Sequence, residues 1–407
     1  MVKIIKKVAV IGGGTMGSGI AQHIAQKGVC VTVKEVDEER AGRCKDRICR
    51  QLDRVAQLGK ISLSEADATK NRLSTTSSYE KIKDADLVIE AVFENIMTKK
   101  AVFEELNSVL PVDVVCATNS SSLSIDEIAS ATNRPDRFIG THFFNPPVKA
   151  PLVELVRGHK TSDETFNVTK RFVQIVLGKT PILVKGCPGY LVNRLLLPYL
   201  NEAARLLTET RLTVSEIDFR ANQFGWPMGP FKLLDYIGID IAANVANILH
   251  NGYGERATPT GLMNRMVELG YIGNKTGIGF YNDDTDSKVE DINMIINREF
   301  PDRVNLGVEE GFKRMMAGFC NEALMCLEEE IGTADVIETG STLGIMFPMA
   351  LQGPLHYAQD KYGFINLLAD LQRFEGECGM RFKPTKILEQ LVADDKKIFQ
   401  GIEEEEW

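Results

Sequence analysis

The sequence predicts an α/β chain: a doubly wound, mostly parallel sheet followed by two similar all-α domains. Three observations predict it. Short apolar runs alternate with helical patterns up to residue 185. A glycine turn, Gly12-x-Gly14-x-x-Gly17, joins the first run to the first helix, and a helical block recurs after residue 305. Strand, glycine turn, helix, strand and terminal acid in that order form the dinucleotide-binding arrangement of a Rossmann-type sheet.

Each element has its own signal. Val8–Ile11 is the first strand, the pattern to Gly28 the first helix, and Val29–Val33 the second strand, ending at Glu35. A charged helix follows over 38–59, and Ser62-Leu-Ser-Glu65 has the capping-box spacing that starts another. Leu87–Val92 is a buried strand ending near Glu90 and Glu94, the helix 98–110 stops at Pro111, and Val112–Ala117 is the next strand. Ser124-Ile-Asp-Glu127 opens a short helix. Phe138–His142, Leu152–Val156 and Ile182–Val184 complete the strands. At Gly186-Cys-Pro-Gly-Tyr190 the character changes, and long helical patterns run over 190–209, 213–224, 229–249 and 258–270. The segment closes with Lys275-Thr-Gly-Ile-Gly-Phe-Tyr281, and Asn282–Lys288 reads as a linker.

The block then recurs. PYLNEAARLLTE (198–209) matches GFCNEALMCLEE (318–329), Trp226-Pro-Met228 matches Phe347-Pro-Met349, and Gly229-Pro230 matches Gly353-Pro354. The expected domains are therefore 1–186, 187–285 and 305–407, the last a diverged copy of the second.

Composition bounds the function. A chain of 407 residues with 44% hydrophobic and 25% charged residues is ordinary globular protein, and no apolar run reaches a membrane-spanning length. The N-terminus leads straight into the first strand, and the eight cysteines form no C-x-x-C pair, so the expected compartment is the cytoplasm. Five histidines without ligand spacing give no case for a metal, and a net charge of −9 argues against nucleic acid. Arg40, Arg43, Arg47, Arg50 and Arg54 share one helical face; that stripe is either a solvated face balanced by interleaved acids or a handle for a phosphate-rich ligand. The acidic tail GIEEEEW carries no functional signal.

The candidate site follows from where the motifs fall. In the glycine turn, Gly12 permits the tight bend, Gly14 lets a pyrophosphate approach the backbone and Gly17 lets helix and strand pack. Thr15 and Met16 open the helix whose N–H groups face the phosphates. Glu35 can accept both ribose hydroxyls and would repel a 2′-phosphate, which selects NAD over NADP. Ligands in such sheets bind beyond the strand carboxyl ends, where three polar clusters lie: Asn119-Ser-Ser-Ser122, His142, and Glu154 within an apolar strand. A Glu–His pair there raises imidazole basicity and fixes its tautomer, as a general base for an alcohol requires. Taken singly, His142 also reads as a hydrogen-bonded core histidine and Glu154 as an edge carboxylate facing water. Asn193, at the start of the first long helix, is a fourth candidate beside its reading as a helix-surface amide; its aligned position in the second block is Lys313.

Together VAVIGGGTMGSGIAQ, VIEAVFEN, TNSSSLSI, HFFNPP, LVELV, PGYLVNRLL, MGPFKLLDYIGID and KTGIGFY resemble the L-3-hydroxyacyl-CoA dehydrogenase family over residues 5–282. The region after 305 resembles the second helical domain in the dehydrogenase part of multifunctional β-oxidation enzymes, where it stands in for a partner subunit. The resemblance implies His142 as general base, Glu154 as its orienting carboxylate, Ser121 on the substrate oxygen and Asn193 at the acyl group. It also implies Glu90, Lys99 and Asn119 near the nicotinamide, and the adenine end of CoA against the helix bearing the arginine stripe. Ser120 stands where the family often has threonine. The implied reaction is reversible oxidation of an (S)-3-hydroxyacyl-CoA by NAD. The implied assembly is a monomer with pseudo-dimeric helical domains or a homodimer. Two alternatives are a same-fold dehydrogenase of a free hydroxy or sugar acid, and a redox-inactive NAD-binding scaffold subunit.

Overall fold

Strand after strand, β-branched apolar runs meet helices whose inner faces carry small or aliphatic residues. The structure, a computed structural model, describes residues 4–281 and 287–400. The acidic tail 401–407 and most of the expected linker, 282–286, lie outside them; Ser287 and Lys288 already belong to a helix.

The first unit reaches Tyr190. Its strands are β1 (Lys7–Ile11), β2 (Cys30–Lys34), β3 (Leu73–Thr76), β4 (Leu87–Glu90), β5 (Val115–Thr118), β6 (Phe138–Phe143), β7 (Leu152–Arg157) and β8 (Thr180–Lys185). They form one sheet in the order β3-β2-β1-β4-β5-β6-β7-β8. All pairs from β3 to β6 are parallel; β7 runs antiparallel to β6, and β8 parallel to β7. The helices are α1 (Thr15–Gln26), α2 (Glu38–Gln57), α3 (Leu63–Asn71), α4 (Ile96–Asn107), α5 (Ile125–Ala129) and α6 (Asp163–Arg171). The capping box at Ser62 and Glu65 is formed, with both reciprocal hydrogen bonds in place.

Helix α2 buries Ala41, Cys44, Ile48 and Leu52 at helical spacing, while its arginines face outward. Three of the five arginines in the stripe are engaged within the unit. Arg40 pairs with Asp37, Arg43 with Glu39, and Arg47 donates to the carbonyls of Gly13 and Gly14. Arg50 and Arg54 are exposed.

His23, buried in α1, donates from Nε2 to the carbonyl of Leu177 at 3.0 Å. Burial, reinforced by nearby Lys179, lowers its pKa to about 4. The unfolded chain then binds a proton that the native state refuses between about pH 6.5 and pH 4. Stability from this group is full above pH 6.5 and is lost as pH falls toward 4. His23→Gln is expected to remove on the order of 2 kcal/mol of that acid slope. Denaturant melts at pH 7 and pH 4.5 check it; equal slopes for wild type and variant would count against it.

The second unit begins at Leu191 and is helical. It contains α7 (Val192–Glu209), α8 (Val214–Phe224), α9 (Pro230–Ile237), α10 (Ile239–Tyr253), α11 (Gly261–Glu268) and α12 (Ser287–Glu299). The chain continues with α13 (Val308–Glu328), α14 (Ala334–Gly344), α15 (Pro354–His356), α16 (Phe364–Cys378) and α17 (Lys386–Ala393). The single helix expected over 229–249 is two, because Gly238 sits at φ +104 between α9 and α10. A Cβ there would meet Asp240 and Lys275, so only glycine fits the break.

Blocks that align in sequence also make matching contacts. Asn201 accepts from Thr260 N and donates to Thr258 O; Asn321 accepts from Thr385 N and donates to Lys383 O. Asp218 accepts the N–H groups at the start of α9, as Glu338 accepts that of His356 in α15. The two blocks meet reciprocally: Arg194 pairs with Glu322 and Glu329, while Arg314 pairs with Glu202 and Glu209. At the centre Tyr199 stacks on Trp226 and Phe319 on Phe347, with Tyr199 and Phe319 edge to face. Residue i touching j while j's counterpart touches i's counterpart is the pattern of a two-fold interface.

Candidate active site

The glycine turn leaves β1 at Ile11, and Gly12 adopts φ +94. A Cβ on Gly12 would lie 2.9 Å from the carbonyl oxygen of Ala91, and one on Gly17 would collide with the carbonyl oxygen of Gly12. Both glycines are therefore required by the protein's own packing. Gly14 is different: a Cβ on it meets nothing within 4 Å, and both Gly14 and Thr15 are exposed. Gly14 caps α1 without a side-chain hydrogen bond, so the first N–H groups of the helix have no side-chain cap. Thr15 and Met16 form its first turn. Glu35 follows β2; its Oε1 accepts the Gly13 N–H at 2.7 Å and its Oε2 that of Val36 at 3.1 Å. The turn and the acid are thus one hydrogen-bonded unit. Open space at Gly14, uncapped N–H groups and a carboxylate at the end of the second strand fit a dinucleotide.

Beyond β4 lies a buried charge network. Glu90 is fully buried, and Lys99, 1% exposed, reaches it from α4 at 2.7 Å. Glu90 also accepts from Thr118 Oγ1 at 2.6 Å and from Val92 N at 2.7 Å. Burying this pair costs less because both Glu90 carboxylate oxygens find donors in the strand ends around them. Asn119 N donates to Glu90 O, and its Oδ1 accepts the Phe143 N–H at 2.9 Å, tying the end of β5 to the end of β6.

Glu94 is a further functional side chain, one that its sequence neighbourhood does not reveal. Its Oε1 accepts from Ser120 Oγ at 2.6 Å and from Ser121 N at 2.9 Å, and Lys99 lies 3.3 Å from its Oε2. Burial pushes its carboxyl up, but the Lys99 ammonium and the serine hydrogen bonds outweigh that and hold it below the ordinary carboxylate range. Glu94 therefore stays charged and fixes the loop that carries Ser121. The only signal in the sequence was a carboxylate four residues beyond Glu90, because its partners come from distant segments.

Antiparallel pairing of β6 and β7 sets His142 directly opposite Glu154. Cross-strand partners share one face, and His142 Nδ1 lies 2.6 Å from Glu154 Oε2. Glu154 is fully buried because β8 covers the other side of β7, which excludes the water-facing edge carboxylate. With Nδ1–H donating to the carboxylate, the Nε2 lone pair is left to accept a proton. The imidazole packs against Phe144, 4.5 Å away centroid to centroid, and Tyr190, at 6.0 Å. Tyr190 is itself anchored by its hydroxyl to Leu123 O at 3.0 Å, next to the serine loop. The first unit thus carries His142, Glu154, Ser121, Glu90, Lys99, Asn119, the glycine turn and Glu35. Asn193 lies in the first turn of α7, in the second unit.

Residues 7–187 match the NAD-binding domain of 3-hydroxyacyl-CoA dehydrogenase, and residues 189–283 match its C-terminal domain. The chain belongs to the 3-hydroxyacyl-CoA dehydrogenase family. NAD is the cofactor of the first unit. The fatty acid oxidation complex subunit alpha of Acinetobacter baumannii is 34% identical over 406 residues, covering 97% of this chain and 56% of that relative. The chain thus spans little more than half the length of such relatives. A solved 3-hydroxybutyryl-CoA dehydrogenase from Escherichia coli K12 matches with TM-score 0.85 at 26% identity, over 96% of this chain and 99% of the other. FadB2 of M. tuberculosis matches at 39% identity and TM-score 0.68, over 69% of this chain and 99% of that one.

Proposed function

We propose that this chain oxidises (S)-3-hydroxyacyl-CoA to 3-ketoacyl-CoA, reversibly and with NAD, as part of fatty-acid β-oxidation or a related acyl-CoA pathway. The His142–Glu154 pair carries the proposal. His142 Nε2 takes the proton of the C3 hydroxyl. Glu154 holds the opposite ring nitrogen and stabilises the imidazolium that forms. Ser121, fixed through Glu94, donates to the C3 oxygen, and Asn193 helps to seat the acyl group. In the reverse direction protonated His142 returns the proton. NAD supplies the acceptor for the C3 hydride. Gly12, Gly14, Thr15, Met16, Gly17 and Glu35 hold it, joined by Glu90, Lys99 and Asn119 toward the nicotinamide. The chemistry then rests on positioning, with the electrons leaving to the cofactor.

We assign 187–285 and 305–407 to a duplicated helical domain, the second acting as a built-in partner; the reciprocal arginine–glutamate pairs support this. No helix among the described residues is long and apolar enough to cross a membrane, and free cysteines support a cytoplasmic protein. The exposed Arg50 and Arg54 on α2 are the arginines that would take the adenine end of CoA.

Substrate class is tested by following NADH formation from (S)-3-hydroxybutyryl-CoA and from free (S)-3-hydroxybutyrate. The thioester is expected to be preferred at least 100-fold in kcat/KM. Preference for the free acid would replace this reading with a hydroxy-acid dehydrogenase.

A further inference from the structure

The second unit contains a cavity of about 270 Å³, none of whose lining residues belongs to the candidate active site. Buried Leu197, Leu249, Met315 and Phe382 give it an apolar wall. Its volume lies just below the roughly 300–1,000 Å³ of ordinary small-molecule pockets, too small for a nucleotide or a CoA thioester and enough for a short alkyl chain.

Its polar side is cationic. Arg194 lines it with a side chain 1% exposed. Nε and Nη1 are used on Glu322 and Glu329, but Nη2 has no hydrogen-bond partner. A buried donor left open is a place for an acceptor. Nearby, Arg194, Arg256, Arg314 and Arg381 are matched by Glu202, Glu209, Glu322 and Glu329 in ion pairs. Lys383 and Lys386 also line the cavity and make no ion pair among the described residues; one further carboxylate, Glu328, lines it and accepts from Ile387 N, so the surplus stays positive in a chain of net charge −9. The combination belongs to one side of the helical repeat only. The positions of the first block equivalent to Met325, Phe382 and Lys383 are Arg205, Ala257 and Thr258.

We propose that this cavity binds a small amphiphile with a carboxylate or phosphate head and a short alkyl body. The head meets the two exposed lysines, on the side of the cavity that Arg194 lines, and the body lies against Leu249 and Met315.

Calorimetric titration of the full chain with sodium octanoate and with octyl phosphate tests this and tells the two head groups apart. Octan-1-ol and inorganic phosphate serve as single-feature probes. At least one amphiphile is expected to bind one to one, with octan-1-ol and inorganic phosphate at least tenfold weaker. Met325→Trp, which fills the cavity, and the surface double variant Lys383→Glu/Lys386→Glu are each expected to weaken binding at least tenfold. The exposed lysines keep the test open should the tryptophan variant fail to fold. No binding of either amphiphile by wild type, binding unchanged in the lysine variant, or octan-1-ol binding as tightly overturns the proposal. The readout involves no turnover, so its failure is separate from failure of the proposed reaction.

Discussion

Glu154→Gln is expected to lower kcat for hydroxyacyl oxidation by about 10²–10³ while changing KM for either substrate only a few-fold. Glutamine is nearly the same size, so the strand register and the packing of β7 between β6 and β8 survive. The change is electrostatic. A carboxylate accepts from Nδ1–H and stabilises the imidazolium that forms as the proton moves; an amide is neutral. Its NH2 can also donate to Nδ1, which would turn Nε2 into a donor and disable it as a base. Counting NADH-binding sites in the same preparation separates this from a general loss of folding, because a misfolded fraction lowers apparent kcat and the number of sites together, whereas a folded variant keeps its sites. Unaltered kcat would show that the buried pair at 2.6 Å is structural.

The second large effect is at the glycine turn, where two substitutions of the same size should behave differently. Gly17→Ala drives a methyl group into the Gly12 carbonyl, so it is expected to cost roughly 3 kcal/mol of stability and to abolish measurable NADH binding. Gly14→Ala adds its methyl where no protein atom lies within 4 Å, at φ −61, which alanine adopts freely. That variant is expected to melt like wild type yet bind NADH at least tenfold more weakly, because the methyl occupies the approach of the pyrophosphate. Thermal melts and NADH fluorescence titrations on both proteins check the pair. Wild-type NADH affinity in Gly14→Ala would move the cofactor away from this turn.

Much of this turn was legible in the sequence because its logic is local. Gly12, Gly14, Gly17 and Glu35 lie within 24 residues of one another, and the capping box at Ser62 is a four-residue pattern. His142 and Glu154 were legible as candidates because polar side chains in apolar strands demand partners. Their register was not. It depends on β7 reversing direction against β6, which nothing in either strand specifies. Strand β3, LSTT, escaped because a short edge strand with one aliphatic residue has no contrast between faces. The break at Gly238 was hidden inside a continuous apolar periodicity, where a glycine alone does not say whether it is tolerated or required. Glu94 escaped for a further reason: its role lies in contacts with Lys99 and Ser120–Ser122, and a sequence shows a carboxylate but not what surrounds it.

The central claim is that a proton leaves the substrate hydroxyl through His142 as hydride leaves C3. Single-turnover NADH formation from (S)-3-hydroxybutyryl-CoA, in wild type and His142→Gln at saturating NAD, tests it most directly. The account predicts NADH formation by wild type, and a rate about 10²–10⁴ lower in the variant with NADH affinity preserved. No NADH from wild type, or a variant as fast as wild type, would contradict it.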